Sequence, residues 1–197
     1  MFKIAQAPEP VLSQTAAPVA KVDKTIKKLL QEMEETLISQ TDPEGVGLAA
    51  PQIGKSLQIF IVKQDPNAPL MTFINPVIEK TFEKPPEKLD EIKQSTKATQ
   101  AKKKAKIDKG VQLEGCLSLK DVWGVVKRPY GVVLSYQDAT GTKHKKTFEG
   151  FIATIIQHEV DHLHGILFPK RVLEQKNPLY HSVKNDKGEI EFEEIEI

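Results

Sequence analysis

Gln157-His158-Glu159-Val160-Asp161-His162 sets two imidazoles four positions apart with a carboxylate beside the first. Residues four apart share a helix face, with Cβ atoms about 6 Å apart, so both rings can converge on one cation. The surrounding residues supply that helix. Phe151, Ile152, Ile155 and Ile156 are apolar at helical spacing from Gly150, and Gly165 is placed to end the helix just beyond His162. Two imidazoles with an adjoining carboxylate suit a divalent metal and an attacking water, but such a site takes three protein ligands and needs one more donor. Cys116 is the only cysteine, within Glu114-Gly115-Cys116-Leu117-Ser118. Gly115 gives the backbone freedom to aim its thiolate. A Cys/His/His set suits zinc or ferrous iron better than magnesium or calcium. Taken singly, the signals are weak: a His-Glu-x-x-His match arises by chance, and a lone cysteine is usually a buried small hydrophobe.

Upstream, Ile26, Leu29, Leu30, Met33 and Leu37 recur at helical spacing behind Asp23, a suitable N-cap, and form an ordinary core-facing stripe. Leu57–Val62, Met71–Asn75, Val77–Phe82, Val132–Gln137 and Lys143–Phe148 have strand composition, with Asp138-Ala139-Thr140-Gly141 turning the last two into a hairpin. Helix, strands and then a second helix read as α+β. The 197 residues suit one domain, and a net charge of +1 with pI near 7.8 gives no global field to attract nucleic acid or membrane. One cysteine forms no internal disulfide, and no leader-like or membrane-length apolar run is present, so a cytoplasmic location is expected.

A third segment, Gly45-Val46-Gly47-Leu48-Ala49-Ala50-Pro51-Gln52-Ile53-Gly54, joins the other two in an order that resembles the peptide deformylases, whose motifs read G-x-G-L-A-A-P-Q, E-G-C-L-S and H-E-x-D-H. Pro8 to Leu12, Ile74-Asn75-Pro76, Arg128-Pro129 and Gly165 to Phe168 extend the resemblance over about the first 170 residues. It implies antiparallel β-sheets packed around a central metal-bearing helix. The expected organisation is a catalytic domain over 1–172, with a lysine-rich insertion at about 84–112, and a strand-forming C-terminal tail over 173–197.

The resemblance implies a hydrolase that removes, as formate, the formyl group from the N-terminal methionine of newly made polypeptides. Cys116, His158 and His162 would hold Fe2+, with Zn2+, Ni2+ or Co2+ as substitutes. A metal lowers the pKa of its bound water, and Glu159 could accept the water's proton and pass it to the leaving amine. The Gln52 side-chain amide and the Leu117 backbone N–H would stabilise the oxyanion. The substrate backbone would add beside Gly45-Val46-Gly47, with Val46 and Ile155 lining an apolar pocket for methionine.

Three features depart from the family pattern. Residues 84–112 replace a much shorter link and include Lys102-Lys103-Lys104 and Lys106, a solvated run by default and alternatively a transient contact with ribosomal RNA. Glu189 to Ile197 alternates like an acidic strand where some deformylases carry a basic ribosome-docking helix. Lys120-Asp121 and Trp123 stand where many members have proline, a glutamate or glycine, and arginine, which bears on contacts to downstream substrate residues. Arg128 matches a family arginine and is expected to pair with Asp161, orienting the metal helix. Two rivals remain: a zinc peptidase, which explains neither Cys116 nor Gln52, and a decayed binding module, which does not explain an intact Glu159. The expected enzyme is a monomer with no membrane or specific nucleic-acid partner.

Overall fold

The computed structural model describes residues 1–41, 44–65, 67–83, 113–185 and 188–196, so the whole of the lysine-rich stretch at 84–112 lies outside the described residues. Helix α1 (Lys24–Ile38) starts where Asp23 accepts a hydrogen bond from the Ile26 N–H at 3.0 Å. Strands β1 (Gly47–Ala49), β2 (Ile59–Val62), β3 (Met71–Phe82), β6 (Gly131–Gln137) and β7 (Lys143–Glu149) form one antiparallel sheet in the order β1-β2-β3-β6-β7. A second antiparallel sheet contains β4 (Leu113–Cys116), β5 (Leu119–Val125), β8 (Leu179–Lys184) and β9 (Ile190–Glu194), in that order. Helices α2 (Phe151–Leu163) and α3 (Phe168–Glu174) complete an α+β fold.

The run Ile59-Phe60-Ile61-Val62 is apolar throughout because its sheet is covered on both faces. Ile59 and Ile61 join Ile26, Leu30, Met33 and Leu37 of α1, while Phe60 and Val62 join Ala153, Ile156 and Val160 of α2. The stripe read on α1 is therefore core packing. The second sheet has its own smaller core, in which Cys116 and Leu179 meet Phe168 and Val172 of α3. The residue-172 boundary read from the sequence falls inside α3, and the acidic tail contributes β9, paired with β8.

Two details correct the sequence reading. Met71–Asn75 and Val77–Phe82 are one strand, not two. Asn75 takes a φ of 50°, and its side chain accepts from the Val19 N–H at 2.7 Å and donates to the Val19 carbonyl at 2.8 Å. Pairing with β6 shifts register between Ile74 and Val77, so the ladder absorbs Asn75-Pro76 as a bulge. Gly115 has no positive φ among the described residues; it is small for reasons of space, because a Cβ there would lie 2.7 Å from the Trp123 ring.

Gly165 does require its left-handed φ of 68°. Its N–H donates to the His162 carbonyl at 3.1 Å, and the Ile166 N–H donates to the Asp161 carbonyl at 2.9 Å, which closes the end of α2. A Cβ at this position would also lie 2.5 Å from the Ser13 carbonyl carbon. Gly165→Ala is expected to cost about 2–3 kcal/mol, from strain and crowding together, measured by chemical denaturation.

Candidate active site

Helix α2 presents His158 and His162 on one face, and the turn joining β4 to β5 brings Cys116 to them from the other sheet. One ligand atom from each of these residues lies within 4.8 Å of the others. The Cys116 Sγ is 3.2 Å from the His162 Nε2. Burial would push the Cys116 thiol up, but the charge of His162 and a hydrogen bond from His158 outweigh it and hold the thiol well below its ordinary value. Burial would likewise lower His158, yet hydrogen bonds to Cys116 and Glu114 carry it up to about 10. Thiolate and imidazolium thus stabilise each other. One thiolate and two imidazoles, all converging, suit a divalent transition metal that takes the place of the imidazole protons. Among the described residues the buried His162 Nδ1 has no hydrogen-bond partner, whereas the His158 Nδ1 faces Glu114 Oε2 at 3.1 Å. A carboxylate only accepts, so the Nδ1–H donates and the Nε2 is left for the cluster.

Glu159 is 4% exposed, and its Oε2 has no hydrogen-bond partner among the described residues. Burial raises its carboxyl to about 7, against the opposing pull of His158 and His162. Its Oε1 packs where a side chain at Gly47 would lie, so that glycine keeps the space beside the carboxylate open. Gln52 is buried in a 3-10 turn, Ala50–Ile53. Its Oε1 accepts from the Ala49 N–H at 2.8 Å, which aims its Nε2 at Ser118 Oγ and Cys116 Sγ, 3.3 and 3.4 Å away. Leu117 occupies the β4–β5 turn, tied to the N-terminal segment by Gln6 Nε2 on the Leu117 carbonyl at 3.0 Å and by the Ala7 N–H on the Ser118 carbonyl at 3.0 Å. A cavity of about 250 Å³ opens beside these groups, lined by Gly45, Val46, Gly47, Ile155, Phe151 and Trp123 among others.

Behind the cluster lies a chain of charges that the sequence reading reached only in part. Arg128 pairs with Asp161 at 2.9 Å and forks onto Glu114, with Nε–Oε1 at 2.5 Å and Nη2–Oε2 at 2.9 Å. Arg171 of α3 closes on Asp161 at 2.7 Å. Burial alone would raise both carboxyls. Hydrogen bonds from His158 and Arg128 hold Glu114 below its ordinary value, and those from Arg171 and Arg128 do the same for Asp161. Glu114 and Ser118, missed as site residues, flank Cys116 within the same motif; nothing in the sequence distinguished Gln6, Ala7 or Arg171.

Residues 1–178 match the family model described as polypeptide deformylase. The chain belongs to the polypeptide deformylase family. It is an enzyme of that family, a hydrolase of protein biosynthesis whose activity is removal of the N-terminal formyl group. A peptide deformylase of Synechocystis is 38% identical over 172 residues, covering 86% of this chain and 76% of the relative. The solved structure of a peptide deformylase from Synechococcus elongatus, in complex with actinonin, has a TM-score of 0.68 at 32% identity and covers 87% of this chain and 78% of that one. A Met-Ala-Ser-bound deformylase of Acinetobacter baumannii has a TM-score of 0.66 at 30% identity, covering 87% and 98%. The antiparallel sheets and helices of this deformylase thus match those of solved family members.

Proposed function

We propose that this deformylase releases formate from the formyl-methionine end of newly made polypeptides, using Cys116, His158 and His162 to hold Fe2+, for which Zn2+, Ni2+ or Co2+ can substitute. The observation that carries the reading is the buried Glu159 carboxyl, its Oε2 without a hydrogen-bond partner among the described residues and its pKa raised to about 7, beside three convergent ligand atoms. A divalent ion in that donor set would polarise the formyl carbonyl and make water nucleophilic near neutral pH. Glu159 takes a proton from the attacking water and delivers it to the departing amine as the C–N bond breaks, giving formate and a free N-terminus. The Gln52 Nε2 and the Leu117 N–H donate to the oxygen that becomes negative, and their fixed positions avoid reorganisation during the reaction.

Substrate backbone binding is supported by β1, an edge strand of its sheet, so a peptide can extend alongside Gly45, Val46 and Gly47. Val46 and Ile155 give the methionine side chain an apolar wall, which suits a flexible thioether. In this reading residues 1–172 are the catalytic unit and 173–197 an added tail. The enzyme works as a cytoplasmic monomer, with transient ribosome contact where its substrate emerges. Among the described residues no helix is long and apolar enough to cross a membrane.

The test is formate release from formyl-Met-Ala-Ser by protein loaded anaerobically with Fe2+, with acetyl-Met-Ala-Ser as control. Release from the formyl peptide alone is expected. No release at stoichiometric metal loading would overturn the proposal.

A further inference from the structure

The two donors assigned to the developing oxyanion belong to different sheets. Gln52 lies in the 3-10 turn that follows β1 of the five-stranded sheet, and Leu117 in the turn between β4 and β5 of the four-stranded one. Three consecutive residues of the N-terminal segment touch both. The Ala5 N–H donates to the Gln52 carbonyl at 2.7 Å, the Gln6 Nε2 to the Leu117 carbonyl at 3.0 Å, and the Ala7 N–H to the Ser118 carbonyl at 3.0 Å. The segment is closed on itself, since the Gln6 N–H donates to Glu9 Oε1 at 2.9 Å and the Glu9 N–H to the Gln6 carbonyl at 2.9 Å. Residues 5–7 therefore form a crossbeam between the two donors.

The β4–β5 turn needs such support. Cys116 pairs with Leu119, which leaves Leu117 and Ser118 as a two-residue loop, and the ladder shifts register between Gly115 and Cys116. Two-residue hairpin loops favour turns with a positive φ, because that twist matches the strands. Neither Leu117 nor Ser118 has a positive φ. The loop is thus held away from its locally preferred conformation by outside partners, and the carbonyls of both its residues accept from the N-terminal segment. We propose that Gln6 is a positioning residue for the reaction: its amide fixes the Leu117 backbone so that the Leu117 N–H meets the oxygen that becomes negative. The proposal rests on the deformylase reading above, which assigns that oxygen to Leu117. Among the described residues, Gln6 supplies the one side-chain tie of the three, so it is the tie that a substitution removes. An oxyanion donor is effective when it is aimed before the reaction begins, and a turn free to sample its preferred shape must reorient in each turnover. The loss falls on kcat, since the ground-state carbonyl asks less of the donor than the oxyanion does.

Gln6 is exposed, so its substitution leaves the core intact. Gln6→Met keeps the length of the side chain and removes the donor, whereas Gln6→Lys supplies a donor again. With formyl-Met-Ala-Ser and Fe2+-loaded protein, Gln6→Met should lower kcat about tenfold with KM within about twofold, and Gln6→Lys should recover most of the loss. Hydrogen–deuterium exchange read by mass spectrometry is independent of turnover. The amides of residues 113–119 should exchange about tenfold faster in Gln6→Met, while those of α2 stay at the parent rate. A kcat within about twofold of the parent in Gln6→Met would overturn the proposal. Equal losses in Gln6→Met and Gln6→Lys would overturn it too, as the mark of lost packing, and so would faster exchange throughout α2, as the mark of general loosening. If the parent releases no formate, the deformylase reading fails by itself. The exchange comparison then decides the rest: faster exchange confined to 113–119 in Gln6→Met supports Gln6 as the holder of the turn, and unchanged exchange overturns it.

Discussion

Glu159→Gln should lower formate release by on the order of 10³-fold while leaving stoichiometric metal bound. Glutamine fits the same volume, so the glycine at position 47, the packing of Ile155 and the neighbouring imidazoles are undisturbed. What is lost is the ability to accept a proton and return it. The parent carboxyl lies at about 7, raised chiefly by burial, so near neutral pH both of its protonation states are populated, as a group acting first as base and then as acid requires. Metal content by atomic absorption and formate by a coupled assay separate the possibilities. Full activity in the variant would remove Glu159 from the mechanism, and loss of the metal would make it a structural residue.

Arg128→Met should cost about 3 kcal/mol and lower the thermal midpoint by roughly 10 °C. Arg128 is 7% exposed and serves two carboxylates at once, so its removal leaves Glu114 inside the protein with His158 as its one side-chain partner among the described residues. Asp161 keeps Arg171, which limits the damage. Arg128→Lys should recover only part of the loss, because an ammonium cannot fork onto Glu114 and also reach Asp161. The pH dependence has a definite sign. Both carboxyls are held below their ordinary values, so the stability they contribute is present above about pH 4 and is lost as pH falls through their depressed values. The difference between parent and variant should accordingly be full at neutral pH and shrink in acid, and urea titrations at pH 7 and pH 3.5 measure it. The same substitution loosens the His158 orientation through Glu114, so metal affinity should fall by about tenfold or more.

Periodicity exposed the elements whose burial is one-sided or continuous. The α1 stripe, the double-faced β2 run and the β6–β7 hairpin each carried their own pattern. Strands β4 and β5 did not, because a four-residue strand ending in Gly115-Cys116 and a strand reading Leu-Lys-Asp-Val-Trp-Gly-Val are held by tertiary pairing rather than by local preference. Helix α3 spans only seven residues with a proline in its first turn, too short to show a period. In the site, the residue types and motif order pointed to Cys116, His158, Glu159, His162 and Gln52, which the structure brings together. Glu114 escaped notice because its partner Arg128 is on another strand connection, fourteen residues away, and no spacing rule links them. Gly115 was misread for a related reason: the need for a glycine came from a ring eight positions downstream, not from its own backbone.

Cys116 belongs to the four-stranded sheet, while His158 and His162 ride on a helix packed against the five-stranded one. An ion shared by these ligands would act as a rivet between two half-molecules. Its dissociation would free the halves to shear, so the free energy that holds the ion and the free energy that keeps the halves in register would be one linked quantity.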